Sequence, residues 1–298
     1  FGGGGGGSGS GGAGGSGSRP EAARSAFDGD EFFDGLGGDL DQAAVEFVVP
    51  PVAMAAYERL LREGDGVLYD DATIQVSYKG KFKDGRLAQF GLYFGSKARS
   101  TLEDFNSMLD DFDGLRFKES RGLDGRLEPG KQALQLYLCE FYAPFDDSPI
   151  LRVSFSLDGK QRGFLLKLPI VLFKFCVPQK VEVGPFRSVF GDASYVDKKA
   201  VFKLNPVIGN SLRDAQDFCE NVLNLMPLPE VDSNPNSFAA AGFIAPSKVE
   251  TTFYVRVQLN PAKMLYRLVI RCADPAALDS MMEHVCSMLA DEDGFDLQ

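Results

Sequence analysis

The chain has 298 residues, enough for two packed domains and a tail. Its 31 Lys and Arg stand against 42 Asp and Glu, a net charge of −11, which excludes a surface broadly suited to nucleic acid or an anionic membrane. The five cysteines (Cys139, Cys176, Cys219, Cys272, Cys286) are scattered without a C-x-x-C pair, as expected of reduced thiols in a cytosolic core, and no run approaches the roughly 18 apolar residues of a membrane span.

Residues 1–18 hold 12 of the 33 glycines with serines between them, the composition of a flexible linker. No initiator Met or charged-then-apolar leader opens the chain, so Phe1 reads as the start of a fragment. From residue 19 to 44 the linker turns acidic and gains Phe27, Phe32, Phe33, Leu36 and Leu40 among its aspartates. That stretch reads as a solvated hinge, with a short linear ligand as the alternative. Order is expected from Val45. The Pro50-Pro51 pair and Gly64 bracket a short helix over 52–62. Strands follow at 72–82, 87–95, 132–142, 150–157 and 161–171, separated by turns such as Lys83-Asp84-Gly85 and Asp158-Gly159. In the first of them Ile74, Val76, Tyr78 and Phe82 share one face, and Gln75, Ser77, Lys79 and Lys81 the other. Consecutive short strands without intervening helices predict an antiparallel β-sandwich.

After Pro178 the texture changes. A turn of helix is expected at 185–190 between Gly184 and Gly191, and a longer one at 211–226, stopped by Pro227. A hairpin then spans 252–272, and a last helix at 275–290 carries Leu278, Met281, Met282, Val285 and Leu289 as one apolar stripe. This half is α+β, a small antiparallel sheet with helices packed on one side.

In the hairpin, Phe253, Val255, Val257 and Leu259 share a face, leaving Tyr254, Arg256 and Gln258 on the other. A turn centred between Pro261 and Ala262 sets Arg256 directly opposite Arg267. Like charges so placed destabilise a sheet. Either both side chains splay into water, or the pair holds an anion such as an acidic peptide or a phosphate.

Catalytic candidates are thin. The only histidine, His284, falls off the apolar stripe of the last helix and reads as a surface residue without a role. Acidic pairs and runs such as Asp110-Asp111, Asp146-Asp147 and Asp291-Glu292-Asp293 sit in loop-like or terminal positions and read as solvated. There is no nucleophile with a base, no phosphate loop and no metal-ligand spacing, so neither an enzyme nor a cofactor is expected.

Several stretches resemble one family. KLPIVLFKFCVP (167–178), VDSNPNSFAAAGFI (231–244) and MLYRLVIR (264–271) are similar to the appendage, or ear, of α-adaptin, the large subunit of the plasma-membrane clathrin adaptor. GVLYDDATIQVSYKGKF (66–82) and GLYFGSKA (91–98) resemble its sandwich half, and the likeness runs in order over about residues 52–290. The resemblance implies a hinge over 1–44, an immunoglobulin-like β-sandwich over 45–174 and an α+β platform of antiparallel sheet with flanking helices over 175–298.

It also implies protein recruitment at the cytoplasmic face of clathrin-coated pits. The family's platform binds Asp-Pro-Phe, Asp-Pro-Trp and Phe-x-Asp-x-Phe peptides of endocytic accessory proteins, and its sandwich binds Trp-x-x-Phe peptides. Its platform residues fall on Phe186, Phe190, Asp197, Arg256 and Arg267, and its sandwich residues on Lys79, Tyr93, Gly95 and Gln132. Lys79 and Gly95 suggest docking at an edge strand, with protection of that edge as the plainer role for Lys79. Further partners implied are the other subunits of the heterotetrameric adaptor, through a trunk absent from this sequence, and clathrin through the hinge. The chain departs from the family where a Trp becomes Phe190, a second aromatic becomes Arg187 and an acid becomes Gln258. The appendage of another coat subunit (a β-adaptin or coatomer), or a non-adaptor sandwich that binds sugars or catalyses, are the other readings.

Overall fold

Apolar side chains at every second position build the first lobe. The computed structural model describes residues 47–246 and 249–297, so the expected hinge lies outside the described residues. Helix α1 (Pro51–Glu63) starts on a proline, which needs no N–H there, and ends at Gly64 in a positive-φ conformation. Strands β1 (Gly66–Asp70), β2 (Ile74–Lys83), β3 (Leu87–Ser96), β4 (Glu103–Leu109), β5 (Leu115–Arg121), β6 (Gln132–Phe141), β7 (Ile150–Leu157) and β8 (Lys160–Lys167) follow. They form a five-stranded sheet in the order β1-β2-β3-β6-β5 and a three-stranded sheet in the order β4-β7-β8. Rings meet between the two sheets: Phe94 lies edge-on to Phe105 at 5.2 Å, and Tyr69 touches Phe164 at 4.4 Å. This is the expected sandwich, with β1, β4 and β5 added.

The expected strand over 161–171 stops early, at Lys167. Pro169 cannot donate to a ladder, and the chain turns inward as a short 3-10 helix, η1 (Leu172–Phe175). From Leu168 to Cys176 every side chain is buried except that of Lys174. Burial pushes the Lys174 ammonium down to about 8, and its Nζ sits 5.6 Å from the centre of the Phe173 ring.

The second lobe is one sheet of seven strands, larger than the small sheet expected. Its elements are β9 (Val177–Pro178), α2 (Val183–Val189), β10 (Val196–Leu204), α3 (Leu212–Asn221), β11 (Met226–Pro227), β12 (Ser237–Ile244), β13 (Thr251–Asn260), β14 (Leu265–Cys272), α4 (Pro275–Leu289) and β15 (Ala290–Leu297). The strand order is β11-β12-β13-β14-β10-β15, with β9 also on β12. Helix α3 begins with a capping box between Ser211 and Asp214, but it ends five residues before the expected stop. Asn224 adopts φ 53°, and the chain turns there to lay Met226 and Pro227 on β12. The acidic run after α4 is likewise not a bare terminus: it is the edge strand β15, and Asp293 receives Lys203 Nζ at 2.5 Å. Among the described residues no helix is long and apolar enough to cross a membrane.

Helix α4 covers one face of this sheet. Its Met281, Met282, Val285 and Leu289 join Val255, Val257, Leu268, Ile270 and Phe202 in a core continuous with that of the sandwich through Phe173 and Phe175. His284 is half-buried at this junction, which corrects the surface reading. Its Nδ1 lies 2.8 Å from the Ser280 carbonyl, and its ring sits edge-on to Phe173 at 6.5 Å. Burial disfavours the charged imidazole and holds it below the usual 6.5, against the pull of the Ser280 carbonyl, Glu283 and Asp146. The unfolded chain therefore takes up a proton that the folded one resists as pH falls through about 6.5, so stability is lost below that pH and regained above it. A urea midpoint followed from pH 7.5 to 5.5 is expected to fall in the native protein and to stay flatter in His284→Gln. An equal slope in the variant would place the titration elsewhere.

Candidate peptide-binding surfaces

The platform face turned away from α4 is set by alternation and register. It presents Ala239 and Ala241 from β12, Tyr254, Arg256 and Gln258 from β13, Arg267, Val269 and Arg271 from β14, and Asp197 from β10. The two alanines leave room for α2 and the loop after β11 to settle on the sheet. There Phe186, Val189, Leu228, Val231 and Tyr254 form a small apolar cluster. Phe186 is only 3% exposed, edge-on to Tyr254 at 5.7 Å and 5.2 Å from Phe190. It therefore staples α2 to its own sheet. Phe190 is half-buried, and it is the ring left open to a ligand.

Beside Phe190 lies a hollow of about 300 Å³ walled by Phe186, Arg187, Val231, Asp232 and Arg256. Arg256 is already engaged there: its Nε and Nη2 donate to Asp232 Oδ2 at 2.7 and 2.6 Å. Burial raises the Asp232 carboxyl, but hydrogen bonds from Ser237 and the Asn234 N–H, together with Arg256, outweigh it and hold the group below the usual carboxylate range. Arg187 and Arg267 are exposed and make no ion pair among the described residues.

The hairpin register differs from expectation. Arg256 lies opposite Val269, and Arg267 opposite Gln258, so the two arginines stand diagonally on one face. The cause is the turn. Residues 261–264 form a four-residue loop, with Asn260 Oδ1 accepting from the N–H groups of Ala262 and Lys263 and with Met264 at φ 52°. Asp197 is set apart from the hollow. It lies opposite Arg271 and receives Lys199 Nζ at 2.8 Å, which chiefly lowers its pKa.

Sequence reasoning missed Arg271. Its Nη1 donates to the carbonyl of Phe190 at 3.0 Å, and its Nη2 donates to those of Asp192 and Tyr195 at 2.8 and 3.1 Å. The guanidinium also lies 5.7 Å from the centre of the Phe190 ring. It ties the segment after α2 to the sheet and so sets where Phe190 sits. Three carbonyl acceptors 76 to 81 residues away leave no local sequence signal.

On the sandwich, Tyr93, Gly95 and Gln132 come together. Gly95 pairs with Gln132, and Tyr93 lies two residues along β3 between Ser77 and Leu134. Lys79 is near them on β2, opposite Gly91 and 3.8 Å from Asp65. All four point outward. Tyr93, Gly95 and Gln132 sit on strands flanked on both sides, whereas Lys79 lies one residue beyond the β1 ladder, which ends at Tyr78, on a stretch of β2 without a strand on its outer side. A Cβ at Gly95 would come no nearer than 4.0 Å to any neighbour, so that glycine is not demanded by space.

A family model described as Alpha adaptin AP2, C-terminal domain, matches residues 174–291. Over those residues the chain is similar to the alpha-adaptin C-terminal domain. The AP-2 complex subunit alpha-2 of Dictyostelium discoideum is 28% identical over 224 residues, 73% of this chain and 22% of that protein. The AP-2 complex subunit alpha of Schizosaccharomyces pombe is 23% identical over 238 residues, 79% of this chain and 27% of the relative. The chain thus spans about a quarter of the length of these relatives. Among solved structures, the GAE domain of GGA2p from Saccharomyces cerevisiae aligns at a TM-score of 0.32 and 10% identity, over 36% of this chain and 98% of that one, too weak to inform the fold. The match to the adaptin domain starts within η1 and takes in Phe186, Phe190, Asp197, Arg256 and Arg267, while the four sandwich residues lie outside it.

Replacing Arg271 by Ala in the adaptin domain leaves three carbonyls without their donor. Urea unfolding is expected to lose about 2–3 kcal/mol. Amide exchange across 190–195 should quicken more than elsewhere, and Arg271→Lys should restore only part of the loss. Unchanged exchange in that segment would contradict the assigned role.

Proposed function

We propose that this chain is the recruiting ear of a clathrin adaptor at the plasma membrane. Its platform takes short peptides that combine an aromatic residue with an acid, as in Asp-Pro-Phe and Phe-x-Asp-x-Phe. The observation that carries this reading is the half-buried Phe190 ring, held by Arg271 at the rim of a hollow whose wall includes Arg187, a cation that makes no ion pair among the described residues. An incoming aromatic side chain stacks on Phe190 above Phe186. Because Asp232 occupies Arg256, the peptide carboxylate goes to Arg187 or Arg267, and Arg256 serves main-chain carbonyls with its remaining N–H groups. Phe190 offers less area than an indole and no N–H, which favours Phe motifs over Trp motifs.

A second site for Trp-x-x-Phe peptides lies on the sandwich around Tyr93, Gly95, Gln132 and Lys79. The partners are endocytic accessory proteins, with the remaining adaptor subunits reached through a trunk and clathrin through the hinge at 1–44. The chain acts as a binding module, without catalysis. Short peptides bury little surface, so single-site affinities fall in the micromolar range or weaker, and repeated motifs supply the rest by avidity.

The test is fluorescence anisotropy of a labelled Phe-x-Asp-x-Phe peptide with the full chain. Saturable binding is expected with a Kd of roughly 10–100 μM. Arg187→Glu and Phe190→Ser should each weaken it at least about tenfold, which is about 1.4 kcal/mol. No saturable binding, or binding indifferent to both changes, would overturn the platform reading.

A further inference from the structure

The outward face of the five-stranded sheet carries a pattern that, Lys79 apart, the peptide sites above do not use. Four neighbouring strands can be read row by row across it. In one row Lys79 lies opposite Gly91, Gly91 opposite Leu136, and Leu136 opposite Arg121. In the next, Lys81 faces Gln89, Gln89 faces Leu138, and Leu138 faces Lys118. The third runs from Lys83 through Leu87 and Glu140 to Arg116. Directly opposed residues project to the same side. The face therefore has a central band of leucines, interrupted by Gln89 and Glu140, with a column of cations along each border.

The band is exposed where it need not be. Leu138 is 44% exposed and Leu87 42%, although polar residues are the rule on a solvated sheet face. Over Gly91 the side chains of Leu136, Leu134 and Tyr93 close together, so that a Cβ there would meet them at 3.2–3.3 Å. Among the described residues, Lys81, Lys118 and Arg121 make no ion pair, on a chain whose net charge is −11. A solvated face on an acidic protein would have no reason to gather unpaired cations around leucines.

We propose that this face docks an acidic amphipathic segment of a partner protein. Its apolar residues lie along Leu134, Leu136 and Leu138, and its carboxylates reach Lys118 and Arg121 on one side and Lys79 and Lys81 on the other. A rod-like peptide fits a band one strand wide between two charged borders. A planar bilayer touches the cations but leaves the half-sunk leucines unburied. The surface adjoins Tyr93 and Gln132, yet it stands whether or not that patch binds Trp-x-x-Phe peptides.

The probe is a synthetic 16-residue peptide with Leu and Phe along one side and Glu on the flanks, titrated into the full chain. Binding is expected to weaken at least about tenfold in Leu138→Ser and in the Lys118→Glu/Arg121→Glu double variant. It should also weaken with added salt, and a peptide with Lys in place of Glu should not bind. Leu138 and the two cations are exposed, so these variants keep the fold, which a thermal melt verifies. Failure of the acidic peptide to bind overturns the proposal, as does binding indifferent to Leu138→Ser. Phosphatidylserine vesicles that bind with the same dependence on Leu138 and the cations would assign the face to a membrane instead. A parallel Trp-x-x-Phe titration with Gln132→Ala reads the neighbouring patch separately, so the two readings fail independently.

Discussion

Between Leu168 and Cys176 the chain has almost nowhere to meet water. Phe175 packs against Phe82 and Phe141 at 5.0 Å and against Phe145 at 6.2 Å, while Phe173 touches His284 of α4. Each such ring contributes about 2–3 kcal/mol by burial alone. A linker between independent domains is polar and exposed; this one is core. Extracting it would open both lobes at once, so the sandwich and the platform form one cooperative body. A continuous core of this kind holds the surfaces on the two lobes at one separation and angle.

Within the platform the governing compromise is between α2 and the sheet below it. Small residues on β12 bring the helix close, and Phe186 is spent on holding it there. There remain the part-exposed Phe190 ring and the exposed Arg187 and Arg267, which make no ion pair among the described residues. Gly242 shows how tight the adjoining edge is: a Cβ there would sit 2.6 Å from Cys176 Sγ and 2.8 Å from Leu225 Cδ2. The strand that carries the site's floor is thus wedged between β9 and β11 on one side and β13 on the other. A rigid floor with one open ring suits weak, repeated, fast-exchanging contacts better than a deep pocket does.

How much of this was legible in the sequence depends on which force set each element. Strands with one wet face, β2, β3 and β6 among them, announced themselves by alternation, and the helix starts by their prolines and caps. β12 did not, because both of its faces are covered and its run of Ala and Gly has no period. β15 was hidden by an acidic composition that suits an edge strand as well as a solvated tail. The candidate site was half legible. Which face Arg256 and Arg267 occupy follows from alternation, but their pairing depended on a turn whose length the residues Asn260 and Pro261 do not fix. Asp232 and Arg271, which decide what each neighbouring group is free to do, act across 24 and about 80 residues and are visible only in the folded chain.

The corrected register changes the chemistry more than the geometry. Two arginines directly opposed would repel, and splaying into water or an anion between them would relieve it. Set diagonally, with Arg256 neutralised by Asp232, they carry no such strain, so the empty platform is at rest and a ligand gains nothing by relieving repulsion. Affinity must then come from the aromatic contact and from whichever cation lacks a partner. On the sandwich the balance is reversed: Lys81, Lys118 and Arg121 make no ion pair among the described residues, and the leucines between them are already partly exposed. On the readings proposed above, the first face selects by shape with charge as a guide, and the second draws by charge and is completed by burial. A rigid body that carries both can grip one long partner at two chemically different points, and the fixed distance between those points then becomes part of what is recognised.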